Sequence, residues 1–371
     1  MIATIDVETI WHGRQSGVTW FHPRACQFPT DEGPAHLMAC QPIGGSDVFG
    51  QVHWSLSTDH GRTWSTPEPI HALGRRDLPD GNQEGICDVV PGHHAATGVT
   101  LAVGHNVYYR DNILTKPSED RFPVYAVRGA DSVWRGRHRL AWPTGEVPAI
   151  YTSGCAQRVD LADGHILLPI SAGDSPDAAR WVATALCAFD GCELAIEAMS
   201  NRLHLEVRRG LLEPSLAVLD NRVYMTIRAE DDRGYVTTSY DGMTWSEIRP
   251  WCWDDGEPLT MSTTQQRWIA NRHGLFLVYT RKAAENANVM RWRAPLFIAQ
   301  VDTATLRLIR ATERVAIPMV GDSISDPDHV ARMGNFHTVS AGRDEAWITV
   351  GETLPADGWR GDTLLARVRW A

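Results

Sequence analysis

Ser57-Thr58-Asp59-His60-Gly61-Arg62-Thr63-Trp64 is the stretch on which the architecture of this chain turns. In such a box the Asp carboxylate accepts turn N–H groups, the Gly supplies a positive φ, and the Trp packs between neighbouring sheets. It describes a β-hairpin turn, a structural device rather than a catalytic one. Ser239-Tyr240-Asp241-Gly242-Met243-Thr244-Trp245 repeats it with one residue missing, and Cys187-Ala188-Phe189-Asp190-Gly191-Cys192-Glu193-Leu194 echoes it more weakly. Fainter echoes lie around Asp131 to Trp134 and around Val301-Asp302-Thr303. The five Asp positions step by roughly 50 to 70 residues, the length of a four-stranded blade with its loops. A sixth unit runs from Asn335 to the C-terminus. Between these turns, short alternating or apolar runs such as 37–41, 52–57, 165–170 and 223–228 carry no helical period. The spacing predicts an all-β fold, a six-bladed β-propeller forming a single domain over 1–371. An N-terminal strand, about Ala3 to Ile10, is expected to complete the last blade and so remove exposed sheet edges.

Composition narrows the partners. Lysine and arginine total 35 against 45 acidic residues, a formal charge of −10 spread along the chain. That argues against nucleic acid or an anionic membrane, although converging arginines can still focus a positive potential on an anionic small molecule. Seven cysteines without CxxC spacing read as buried thiols rather than a disulfide framework or zinc site. The N-terminus Met1-Ile2-Ala3-Thr4-Ile5-Asp6 lacks a basic and then a long apolar region, and no apolar run is long enough to span a bilayer. A cytoplasmic location is expected for the chain as given; a secreted or periplasmic product whose signal had been removed would read the same way. No cofactor or metal is expected. Gathering His22, His105 and His337 with Glu84 around a divalent ion would require ligands from different blades to converge, and no close-spaced histidine pair supports it.

At this level the sequence resembles the exo-sialidase family and its wider Asp-box propeller superfamily. Gln157-Arg158-Val159-Asp160-Leu161-Ala162-Asp163-Gly164-His165-Ile166-Leu167-Leu168-Pro169 is similar to a third-blade segment of that family. Glu213-Pro214-Ser215-Leu216 through Val223-Tyr224-Met225-Thr226-Ile227-Arg228 is similar to the segment carrying its buried glutamate and a substrate-binding arginine. The order of segments covers most of the chain. Two departures stand out. Where the family opens its first blade with Phe-Arg-Ile-Pro, this chain has Phe21-His22-Pro23-Arg24-Ala25; where it carries a nucleophilic tyrosine, this chain has Gly334-Asn335-Phe336-His337-Thr338.

In a propeller the innermost strand of each blade starts on the face where the second strand ends and the third begins, so these positions line one mouth. Read blade by blade, they bring His22, Arg24 and Asp47, then Asp88 and His105, then Glu213 and Arg228, then Gln265, Arg281 and Arg293, and finally Asn335 and His337 together. Guanidinium forks bind carboxylates bidentately, which makes Arg24, Arg228 and Arg293, with Arg281 as rival for the third place, candidates for a substrate carboxylate. His22, His105 and Gln265 are candidate substrate contacts. The resemblance implies that Glu213 orients and activates a neighbour and that Asp47 is the acid/base on a first-blade loop; a turn cap is the bland alternative for Asp47. His337 is a candidate general base or, protonated, a leaving-group acid. The function these residues imply is an exo-acting glycoside hydrolase recognising a terminal acidic sugar, sialic or uronic, on an oligosaccharide or glycoconjugate. A polysaccharide lyase acting on uronates by β-elimination, and a non-catalytic glycan-binding propeller, are the alternatives. Nothing in the sequence sets the oligomeric state.

Overall fold

Runs such as Arg222–Arg228 and Gly234–Ser239 are buried along nearly their whole length, whereas an outer strand such as Trp134–Arg139 is largely exposed. That gradient follows from a sheet covered on both faces by its neighbours near its centre and meeting water only at its rim. In the computed structural model, which describes residues 1–45, 47–115, 121–143, 145–175 and 177–371, six antiparallel sheets form a six-bladed β-propeller.

From the inside outward, blade 1 has Trp20–Thr30, Gly33–Gly45, His53–Ser57 and Glu68–Pro69; blade 2 has Gln83–His94, Val99–Arg110, Pro123–Arg128 and Trp134–Arg139. Blade 3 starts with a broken inner strand, Ile150–Thr152 and Val159–Asp160, followed by Ile166–Gly173, Trp181–Phe189 and Leu194–Met199. Blade 4 has Leu212–Leu219, Arg222–Arg228, Gly234–Ser239 and Arg249–Pro250, and blade 5 has Arg267–Asn271, Gly274–Tyr279, Leu296–Asp302 and Arg307–Leu308. Blade 6 has His337–Ser340, Glu345–Thr353 and Thr363–Trp370, and its outermost strand is Ile2–Trp11, paired antiparallel from Ile2 opposite Trp370 to Trp11 opposite Thr363. The ring therefore closes by hydrogen bonds between the two ends of the chain.

The turns between third and fourth strands hold Asp59, Asp131, Asp190, Asp241 and Asp302, one per blade in blades 1 to 5. Asp241 accepts from the N–H groups of Met243 (2.8 Å) and Thr244 (2.7 Å) and from the Ser239 hydroxyl (2.8 Å). These bonds hold its carboxyl well below the usual carboxylate range. Blade 6 lacks such a turn for a topological reason: its third strand ends the chain and its fourth begins it.

The core is a set of apolar layers between blades rather than a single centre. Leu101, Tyr125, Ile166 and Ala183 join blades 2 and 3, and Trp251, Trp268, Leu277 and Val236 join blades 4 and 5. Trp64, from the first box, packs edge-on against Trp347 of blade 6 at 6.4 Å between ring centres. Trp245 of the second donates its indole N–H to Thr184 of blade 3 (3.0 Å).

Candidate functional site

The innermost strands of four consecutive blades are irregular at the same end. Register shifts occur between Phe21 and Arg24, between Cys87 and Val90, and between Leu212 and Ser215. At these points His22 (φ 51°), Asp88 (φ 56°) and Glu213 (φ 47°) adopt left-handed backbone, and in the break of the blade 3 inner strand Cys155 does the same (φ 51°). A non-glycine residue held so costs about 1–3 kcal/mol, and a bulge re-aims the side chain it carries. All four side chains are turned toward one cavity of about 430 Å³ at the propeller mouth.

On its floor, Asp88 Oδ1 accepts from Arg24 Nη2 (2.5 Å) and Asn335 Nδ2 (3.3 Å) and lies 3.4 Å from His22 Nδ1. Burial alone would raise the Asp88 pKa; the Arg24 guanidinium, with His22 and His105 nearby, holds it well below the usual range instead. Burial outweighs the Asp88 charge at His22, which is pushed down to about 3, and at His105, pushed down to about 4. Both imidazoles are neutral at pH 7. His105 Nε2 lies 3.4 Å from Cys87 Sγ, and burial raises the Cys87 thiol pKa, so it stays protonated. Cys87, Asp88 and His105 present three ligand atoms within 4.8 Å of one another. A cation there would compete with Arg24 for Asp88 and would face the Arg121 guanidinium, whose field already reaches Cys87 and His105. The trio suits a hydrogen-bonded floor better than a metal centre.

On the wall, Arg228 donates to Glu213 (2.9 Å) and to the Thr263 hydroxyl (3.1 and 3.2 Å), with Glu230 at 3.5 Å. Burial raises the Glu213 pKa, but Arg228 outweighs it and Arg293 adds to the effect, so the carboxyl stays ionised. Arg293 has no ion-pair partner among the described residues, and its Nε is buried without a hydrogen bond. Burial, then the neighbouring Arg228 and Arg291, push its pKa down to about 10. Asp47 sits exposed at the rim in left-handed backbone (φ 57°), its carbonyl accepting from the buried Tyr109 hydroxyl (3.0 Å). Among the described residues, seven arginines but only Asp47, Asp88 and Glu213 as carboxylates line the cavity. A chain of net charge −10 thus gathers a positive excess at one point.

Of the residues expected at the mouth, Asp47, Glu213, Arg228, Arg293, His22 and His105 line this cavity. Arg24 lies behind it, 1% exposed, spent on Asp88. Three others do not line it either. His337 is buried farther down the channel, at a second cavity with Gln157 and Arg158. Asn335, just ahead of the inner strand of blade 6, lines the mouth, and two residues of extended rise carry His337 ~7 Å beyond it. Arg281 pairs with Glu313 through Nε and Nη2, both at 2.9 Å, and stacks 4.3 Å over the Phe297 ring, which turns it away from the mouth. Gln265 is fully buried, accepting from the Thr264 hydroxyl (2.9 Å) and donating to the Phe336 carbonyl (3.4 Å). The lining also includes Arg121, Arg180, Arg209 and Arg332, which sequence reasoning passed over. Arg121 and Arg180 lead into third strands, positions that the strand-end rule covers but that are masked by the polar loops preceding them.

No protein-family model and no curated protein sequence matches the chain. Solved structures do. A protein of unknown function from Dyadobacter fermentans aligns over 100% of both chains at 14% identity with a TM-score of 0.64. The Hadza microbial sialidase Hz136 aligns over 97% of this chain and 68% of its own at 13% identity, TM-score 0.65. The Trypanosoma rangeli sialidase, solved in complex with sialic acid, aligns over 94% of this chain at 14% identity, TM-score 0.63. The fold is sialidase-like. At such identities the likeness is one of fold, and this chain spans about half (54%) of the trypanosomal enzyme.

Proposed function

We propose that the protein is an exo-acting glycoside hydrolase that takes a terminal acidic sugar into the mouth cavity and grips its carboxylate with Arg228 and Arg293. The observation that carries this reading is the unpaired Arg293 guanidinium beside the Glu213–Arg228 pair in a pocket of monosaccharide size. An incoming carboxylate would supply the partner that Arg293 lacks, in bidentate geometry.

Glu213 is a carboxylate at neutral pH and a weak proton acceptor, which suits it to stabilising the positive charge of an oxocarbenium-like transition state. Asp47, exposed and without a cation at ion-pair distance among the described residues, is positioned to exchange a proton with the leaving group. Asn335 stands where the sialidase resemblance expects a tyrosine, and the hydroxyl of Tyr109, another lining residue, is engaged with Asp47 and the Phe49 N–H. A single displacement by water is therefore favoured over a covalent tyrosyl intermediate. The same arginines would neutralise a uronate carboxylate and acidify its C5 proton, which supports β-elimination as a second reading, although His22 and His105, lowered to about 3 and about 4, are weak bases for that step.

One assay separates the readings: incubation with a panel of terminal sialosides and uronosides, followed by product analysis. Hydrolysis releases the free acidic sugar without ultraviolet absorbance. Elimination produces the absorbance of an unsaturated uronate. Absence of both products across the panel would overturn both readings.

A further inference from the structure

Arg121 and Arg180 are the same structural feature repeated one blade apart. Arg121 precedes Pro123–Arg128, the third strand of blade 2, and Arg180 precedes Trp181–Phe189, the third strand of blade 3. Each is tied by a parallel bridge to the start of the next blade. The Arg121 carbonyl accepts from the Tyr151 N–H (3.0 Å); the Arg180 N–H donates to the Arg209 carbonyl (2.9 Å) and its carbonyl accepts from the Leu211 N–H (2.8 Å). Gly210 permits that contact: it has φ 74°, and a Cβ there would lie 2.3 Å from the Arg180 carbonyl oxygen. The bases of both side chains are thus fixed, and both line the mouth cavity.

Four other arginines of blades 1 to 4 have carboxylate partners. Arg24 has Asp88, Arg137 has Glu84, Arg228 has Glu213 and Arg209 has Glu230. Among the described residues neither Arg121 nor Arg180 has an ion-pair partner, and Arg121 Nε is buried without a hydrogen bond. Burial, and then Arg121 and Arg209, push the Arg180 pKa down to about 10. Guanidinium groups that face one cavity from a partly desolvated wall without an ion-pair partner are unfavourable unless an anion joins them. In a six-membered ring, blades 2 and 3 face blades 5 and 6, so this pair stands across the mouth from Arg293 and Arg332.

We propose that Arg121 and Arg180 form a second oxyanion subsite, taking a sulfate ester or a second carboxylate on the ligand whose first carboxylate meets Arg228 and Arg293. The substrate class is then a doubly anionic sugar terminus. This inference rests on the acidic-sugar reading for the ligand, whereas the subsite itself can be tested alone.

Equilibrium dialysis of the full chain against radiolabelled inorganic sulfate at fixed ionic strength, with melting curves to confirm folding, provides the test. The wild type should bind two sulfates. Arg121→Gln with Arg180→Gln should reduce this to one, leaving the affinity of the other within about threefold, and each single substitution should weaken one sulfate about tenfold. Arg293→Gln should remove the other sulfate and spare this one; if it removes neither, the Arg228–Arg293 carboxylate reading fails while the second subsite stands. Acetate as competitor distinguishes the two chemistries: displacement of the Arg121–Arg180 sulfate at equal concentration assigns a carboxylate there, and resistance assigns a sulfate ester. One sulfate per wild-type chain, or two that survive the double substitution, would overturn the proposal without requiring a variant that is hard to fold.

Discussion

Asp88 shows how one residue can be both scaffold and site. It is the counter-charge for Arg24, which is 1% exposed, and it also meets His22 and Asn335 on the pocket floor. Asp88→Asn leaves a buried guanidinium uncompensated, and urea denaturation should register a loss of about 3–5 kcal/mol. The buried histidines set the acid limb of the stability profile. Burial lowers His22 to about 3 and His36 and His105 to about 4, and His337 lies well below its ordinary value. An unfolded chain protonates these groups near pH 6.5, so below that pH it binds more protons than the folded one. Stability should be complete above about pH 6.5 and fall as the pH drops toward 4, where the folded-state groups begin to charge. His36→Gln should lose about 2 kcal/mol less than the wild type between pH 7 and pH 5, measured by denaturant titration at each pH. Equal losses would show that His36 does not contribute to this acid limb.

At the scale of elements, the third-to-fourth-strand turns and the inner-strand bulges divide the labour. The Asp241 turn is stabilised by backbone and hydroxyl hydrogen bonds and contributes nothing to the mouth lining. Asp241→Ala should cost about 1–2 kcal/mol in thermal or urea melts while leaving ligand affinity unchanged. The turns were legible in sequence because the motif is local, its Asp accepting from groups two or three residues on. Asp59 and Asp241 carry that motif visibly, and their spacing is enough to set the blade register. From that register the strand ends bearing Glu213, Arg228 and His22 could be assigned to the mouth. The bulges could not be read in the same way. His22, Asp88 and Glu213 occupy left-handed backbone that local propensity disfavours, and only the surrounding sheets hold them there. His337 was misplaced because sequence gives a strand's position around the ring but not a side chain's depth along the channel, and Arg281 because its partner Glu313 is remote in the chain.

For the whole molecule, closure and charge are the properties that matter. The strand Ile2–Trp11 supplies the outer edge of blade 6 and pairs with the last strand of the chain, so a chain lacking residues 1–11 should expose the edge of Thr363–Trp370 and melt markedly lower, with self-association visible by light scattering. A net charge of −10 around a mouth lined with arginines focuses the potential on one opening, and association of an anionic sugar should weaken as salt is raised. What that opening receives decides the function. Its most direct test is the rate of release of free acidic sugar from terminal sialosides and uronosides by the wild type and by Arg293→Gln. Turnover is expected on at least one of them, with kcat/KM about 10- to 100-fold lower in the variant and the melting curve retained. Turnover unchanged by the substitution, or no acidic sugar released from any of them, would contradict the proposed function.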